Sequence, residues 1–280
     1  MTTQIQITAA EINKLRQATG AGMMDCRKAL TETNGDFEAA IDWLRKQGQK
    51  VAAKRSDREA KEGVIIAQTF PGNQSGLIIC ISCETDFVSK NADFVAFAQS
   101  IADTAIANNV QSAEELMEQN VNGAKVSDLI NDKLASIGEK IGISRFERLD
   151  APYVASYIHG ANRMGVLVGL TGNLPDAGKD IAMQIAAMNP VAVDPESVSK
   201  EMVDRERNIV MDQMKEDPKM KGKPEEMMAK IAEGKLNAFF KEQTLMAQPF
   251  VKDNSKTVRE YLQGIDAKAS VTSFIRVALG

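Results

Sequence analysis

Asp86 and Phe87 are the residues of this chain whose types and placement most invite a chemical role. They follow a mostly apolar run, Leu77 to Cys83 in LIICISCETDF, that stops abruptly at Glu84. Such a run suits a strand covered on both faces, and Lys90, Asn91 and Asp93 then signal a solvated connection into a helix. A buried strand therefore delivers an acid and an aromatic to its end. A large aromatic in a loop is either tucked back onto the core or presented to a partner, and context must choose. Within the same run Cys80 and Cys83 form C-x-x-C, a spacing used by redox and zinc sites. Residues three apart on a strand point to opposite faces, and no second pair exists; with Cys26 the cysteines are an odd, sparse set. They read as small core residues, with no metal and no cofactor expected.

Other chemistry is thinly represented. His159 is the single histidine, and its flank from Tyr157 to Gly160 contains no serine or cysteine nucleophile motif. A histidine at a strand end reads as structural or as a contact, with a His159-dependent hydrolase as the weaker enzyme alternative. No G-x-x-x-x-G-K-[ST] loop or strand-linked G-x-G-x-x-G occurs, so the chain is expected to bind no nucleotide itself. Lys and Arg number 34 against 38 Asp and Glu, a net charge of -4, and basic residues are interleaved with acids. That balance excludes a strong pull towards nucleic acid or an anionic membrane and favours a protein partner. No apolar stretch approaches a membrane span, and Met1 to Gln6 is polar without a signal pattern, which points to the cytoplasm.

These residues need elements to hold them. With 280 residues, 44% of them hydrophobic, the chain can fill one large core or two to three modest ones. Residues 1–50 read as a three-helix module. Thr8 and Glu11 form a capping box for a helix through Leu15, and Thr19 to Gly22 breaks it. Met23 to Thr33 follows, Asn34 and Gly35 supply a left-handed exit, and Asp36 caps a third helix whose stripe is Phe37, Ala40, Ile41 and Leu44. Trp43 falls off the stripe, and Gly48 is expected to end the module. Residues 51–62 carry mixed charge and read as a solvated linker with some helical character.

Beyond the linker the period changes to two. Gly63 to Phe70, a Pro-Gly turn, Leu77 to Cys83 and a helix from Ala92 to Ala107 make a strand-turn-strand-helix unit. A second copy follows with Tyr153 to His159, a turn, Gly165 to Thr171 and a helix from Asp180 to Met188. The second copy exits into Gly172 without an acid and aromatic pair, which marks Asp86 and Phe87 as a grafted site rather than a fold requirement. Pro195 opens a helical stretch in which Met202, Val203, Ile209, Val210 and Met214 form a seam on a charged helix. A break from Asp217 to Pro224 and a second helix from Glu225 to about Thr244 give an antiparallel hairpin at about 195–245, protruding from the body. Its methionines read as adaptable core. Val271 to Leu279 closes the fold as a strand. The expected class is α+β with a duplicated core of antiparallel sheets, divided at 63–148 and 149–280. A homodimer through the hairpin stays open.

Taken together, the motifs resemble bacterial translation elongation factor Ts. The strongest are the run from Leu15 to Leu30 (LRQATGAGMMDCRKAL) with Asn34 to Asp36, and Glu84 to Lys90 (ETDFVSK). Ser156 to Gly160, Gly165 to Val168, Gln248 to Val251 and Phe274 to Arg276 add support. The resemblance implies a guanine nucleotide exchange factor that releases GDP from elongation factor Tu without covalent chemistry, and an N-terminal module similar to ubiquitin-associated domains. It implies that Thr85, Asp86, Phe87 and Val88 dislocate magnesium in the partner. It assigns partner contacts to Arg16, Met23, Met24 and Arg27, to Ile137, Gly138 and His159, and to Val251; Arg27 replaces a lysine common in the family. The rival expectation is a peptide- or ubiquitin-like-binding adaptor acting through the N-terminal module.

Overall fold

In the computed structural model, which describes residues 7–54, 57–217 and 224–280, the N-terminal part through Lys54 is helical and the remainder is built on two small sheets. The polar Met1 to Gln6 stretch, two linker residues and most of the break before Pro224 lie outside the described residues. The capping box forms as its residues dictate: the Thr8 hydroxyl accepts the Glu11 amide while the Glu11 carboxylate accepts the Thr8 amide. It opens α1 (Ala9–Thr19), which outlasts its expected end at Leu15 and closes on left-handed Gly20. Two further helices follow, α2 (Met23–Glu32) and α3 (Phe37–Lys54). Leu15, Cys26, Leu30, Ala40 and Leu44 form the module's core, with Trp43 half-buried at its margin.

Gly48 does not end α3. A Cβ there would lie 2.8 Å from the Cβ of Ala135, so this glycine is a notch through which α3 approaches α7 (Val126–Ile137). Close approach, not chain reversal, accounts for it. Helix α3 consequently runs through the first part of the expected linker. Farther along that segment Arg58 is fixed, donating to Glu84 at 3.0 Å, while its carbonyl accepts Lys140 Nζ at 3.0 Å.

The first sheet starts with the hairpin β1 (Glu62–Thr69) and β2 (Ser75–Cys83), followed by α4 (Asp86–Ser89) and α5 (Ala92–Ala107). After α6 (Ala113–Met117), the two-residue strands β3 (Asn120–Val121) and β4 (Ala124–Lys125), and α7, the chain returns as β5 (Gly142–Asp150) antiparallel to β2. The second sheet repeats the plan: β6 (Tyr153–His159) and β7 (Met164–Leu170) form a hairpin, and α8 (Pro175–Met188) covers it. A longer excursion carries α9 (Lys200–Glu216), α10 (Glu225–Gln243), β8 (Pro249–Phe250), β9 (Asp253–Thr257) and α11 (Val258–Ile265). Then β10 (Val271–Ala278) pairs with β7 as β5 does with β2. The orders β1-β2-β5 and β10-β7-β6 are the same three-strand arrangement twice.

The sheets face each other through Ile65, Ile78, Cys80, Leu149, Val154 and Leu167. Two glycines allow that approach: a Cβ on Gly76 would lie 2.7 Å from Leu167 Cδ2, and one on Gly165 2.8 Å from Ile65 Cγ2. Each sheet buries its other side beneath helices, α5 and α7 on the first and α8 and α11 on the second. Helices α9 and α10 pack on one another around Val210, Met214 and Ala232, a small core of their own. The outer edge of β1 meets Asn162 in the β6–β7 turn. The Ile65 amide donates to the Asn162 carbonyl at 2.8 Å, and Asn162 Nδ2 donates to the Ile65 carbonyl at 3.0 Å.

Candidate functional site

The end of β2 delivers Glu84 to Val88 in a rigid frame. Glu139, just beyond the C-cap Gly138 of α7, accepts the amides of Glu84 and Thr85, each at 3.1 Å, and the Thr85 hydroxyl at 2.6 Å. Glu84 answers by accepting the Lys140 amide at 2.6 Å and Arg58 Nη1 at 3.0 Å. Two carboxylates thus cross-brace two loops, each satisfying backbone donors of the other, with the added strength of charged acceptors. The Thr85 hydroxyl donates to Glu139 and makes no cap bond to α4, whose N-cap it occupies.

Within α4 the side chains divide. Thr85 and Val88 are half-buried, and Val88 packs against the first core. Phe87 is 85% exposed, which removes the tucked-in alternative. Asp86 pairs with Lys90 at 2.6 Å, and this hydrogen bond and its charge hold the carboxyl below its ordinary value. Arg163 lies within the field of Asp86 while bonding Glu62 at 2.7 Å. Its guanidinium is raised chiefly by Glu62. An aromatic on a short, braced helix beside a charged acid can enter an apolar crevice while carrying a negative charge with it.

Gly138 and Ile137 belong to the end of α7 that adjoins this mount. Gly138 is the left-handed C-cap of α7, one residue before Glu139, whereas Ile137 is half-buried and packs on the first core. His159 ends β6 exposed, with Tyr157 Oη 3.0 Å from its Nδ1; the turn that follows contains Arg163. On the N-terminal module Arg16, Met23, Met24 and Arg27 are all exposed, Met24 at 74%. The α1–α2 turn abuts the end of α7, since a Cβ on Gly20 would meet Ser136 at 3.8 Å. Val251 belongs to the second half of the fold. It sits past β8 on a loop held by Gln184 of α8, whose Oε1 accepts the Val251 amide at 2.8 Å and whose Nε2 donates to the Pro249 carbonyl at 3.1 Å. Neighbouring Lys252 bonds Asp180 at 2.6 Å.

Glu139 and Gln184 carry no motif, and sequence reasoning passed over both. Gln184 did leave a signal, a polar residue on the apolar face of Ile181, Ala182 and Ile185, and it is fully buried. The cysteines fall on opposite faces, Cys80 between the sheets and Cys83 under the helices. Burial pushes the Cys83 thiol up to about 12, with Glu139 and Glu62 adding to the rise. Among the described residues no group of three His, Cys, Asp or Glu is placed to hold a metal ion, and no helix is long and apolar enough to cross a membrane.

The family model for elongation factor Ts matches residues 84–280, beginning at the Glu84 that anchors this mount. The chain belongs to the elongation factor Ts family. It is 49% identical to elongation factor Ts of Christiangramia forsetii and 45% identical to that of Flavobacterium psychrophilum, covering in each case 98% of this chain and 99% of the relative. Elongation factor Ts of Methylococcus capsulatus is 43% identical over 99% of this chain and 93% of its own length. The family places this protein in protein biosynthesis, at translation elongation.

Proposed function

We propose that this protein is a guanine nucleotide exchange factor that promotes GDP release from elongation factor Tu, and that it acts by inserting Asp86 and Phe87 near the partner's magnesium site. The observation that carries the reading is Phe87, 85% exposed on a helix braced by Glu139 and Glu84. Holding a phenyl ring in water has no stabilising role in this fold, so its reward lies in a partner. Burying it there contributes roughly 1.5–3 kcal/mol, enough to shift partner helices by a small amount. Asp86, whose charged form is favoured by Lys90, brings a carboxylate towards a cation whose own charge dominates its site. Disturbing that cation leaves the nucleotide phosphates under-neutralised.

Exchange then follows from linkage. A protein that binds nucleotide-free partner more tightly than GDP-bound partner weakens GDP binding by the same factor. No bond is made or broken, so the protein is not an enzyme in the covalent sense. Arg16, Met23, Met24 and Arg27 on the ubiquitin-associated-like module would dock on the same nucleotide domain, with Gly138, the less accessible Ile137, and His159 beside the wedge. Val251 would meet a different part of the partner. The α9–α10 pair fits a projecting antiparallel hairpin, and the whole reaction belongs to the cytoplasm.

The test is release of a fluorescent GDP from elongation factor Tu. The protein should accelerate release strongly, and Phe87→Ala and Asp86→Ala should each reduce the acceleration while retaining affinity for nucleotide-free partner. Acceleration unaffected by either substitution would refute the wedge, and no acceleration at all would refute exchange.

A further inference from the structure

We infer that Glu139 is a positioning residue for exchange, acting through the orientation of Phe87; this rests on the reading of Asp86 and Phe87 given above. The hydrogen bonds of Glu139 go to Glu84 and Thr85, not to Asp86 or Phe87. Glu139 collects three donors from the two residues that precede α4: the Glu84 amide, the Thr85 amide and the Thr85 hydroxyl. Those donors set the direction in which the chain leaves β2. Four residues of helix cannot hold a direction unaided, because a single turn fixes many dihedrals for little hydrogen bonding. Helix α4 also has no side-chain N-cap bond, and the Thr85 hydroxyl at its N-cap bonds Glu139. The orientation of Phe87 is therefore held from outside the helix.

The anchoring is specific in chemistry as well as in place. A carboxylate has two oxygens with about four acceptor sites and no proton to offer, which suits two amides and a hydroxyl that all donate to it. Glutamine at 139 would keep one acceptor oxygen, enough for the two amides that share one oxygen of Glu139. With its carbonyl oxygen in the place of the one that accepts both amides, its NH2 meets the Thr85 hydroxyl, which must turn from donor to acceptor, and charge assistance disappears from all three bonds. Thr85 supplies the complementary probe, since Thr85→Val removes the hydroxyl bond and preserves the shape.

The experiment measures the second-order rate constant for GDP release from elongation factor Tu with Glu139→Gln, Thr85→Val, Phe87→Ala and the double variants, alongside thermal unfolding of each. Glu139→Gln should slow exchange about tenfold, the factor set by losing charge assistance from the bonds of the mount. In the Phe87→Ala background the same change should have little further effect, because there is no ring left to aim. Thr85→Val should slow exchange in the same direction and combine with Glu139→Gln less than additively, since both act on the bond between the Thr85 hydroxyl and residue 139. Loss of exchange by the same factor with and without Phe87 would show that Glu139 merely supports the fold and would overturn the inference. So would unchanged exchange in Glu139→Gln and Thr85→Val while Phe87→Ala is slow. If Phe87→Ala itself exchanges normally, the wedge reading fails first and carries this one with it, a result distinguishable from the other two. Should Glu139→Gln not fold, Thr85→Val alone and in combination with Phe87→Ala decides the question.

Discussion

Replacing Gly48 with alanine sets two effects of opposite sign against each other, and the structure says which wins. In a helix interior alanine is favoured over glycine by about 1 kcal/mol. Here the new Cβ would stand 2.8 Å from the Ala135 Cβ, and carbon atoms rest at about 3.5–4.0 Å, so α3 and α7 would have to part by about 1 Å. The neighbour is a methyl on a helix backbone, which has no rotamer to move. Overpacking of this kind costs about 1–3 kcal/mol, leaving a net loss of about 1 kcal/mol for Gly48→Ala. Removing the obstruction reverses the sign: in an Ala135→Gly background Gly48→Ala should stabilise by about 1 kcal/mol, because only the propensity gain remains. Urea unfolding followed by the fluorescence of Trp43, the single tryptophan and a resident of α3, measures both arms. The same sign in both backgrounds would refute the notch between α3 and α7.

Two further outcomes follow from the second half of the fold. Gln184→Leu should destabilise the protein by about 1–3 kcal/mol, because the Val251 amide and Pro249 carbonyl lose their buried partner; an effect below about 0.5 kcal/mol by urea unfolding would contradict that role. Tyr261 is raised to about 12 by burial first and by its bond to Asp180 second, so the folded state favours the protonated phenol. Its contribution is full below the ordinary value near 10 and is lost as pH rises through about 12. Tyr261→Phe should flatten the decline of stability across that window, and an unchanged alkaline profile would argue against the shift.

What was legible in the sequence was whatever local chemistry encodes. The Thr8 capping box, the two hairpins and the helix Ala92–Ala107 are written in adjacent residues, and the structure has them where the pattern predicts. The opposite facing of Cys80 and Cys83 needed only the period of a strand. By contrast β5 escaped notice because it is an edge strand with only Leu149 buried, and its Arg145, Glu147 and Arg148 break any apolar run. Gly48 was misread because a glycine that admits a neighbouring helix looks locally like one that ends its own. Phe87 was recognisable as a candidate from its setting, but the residue that steadies its mount was not. Glu139 lies 54 and 55 positions from the amides it accepts, and no local pattern spans that distance.

The β6–β7 turn has one more consequence, for molecules that meet in a crowded cell. Strand β1 lies at an open border of its sheet, and its buried Val64, Ile65 and Ile66 are the kind of sequence another chain could extend. Asn162 occupies that border at Ile65, offering a carbonyl and a side-chain amide where an intruding strand would place its own backbone groups. Its φ of 66° is a left-handed conformation that asparagine tolerates better than most residues. One residue thus acts as a plug, taking the hydrogen bonds through which a second copy would otherwise begin to add strands.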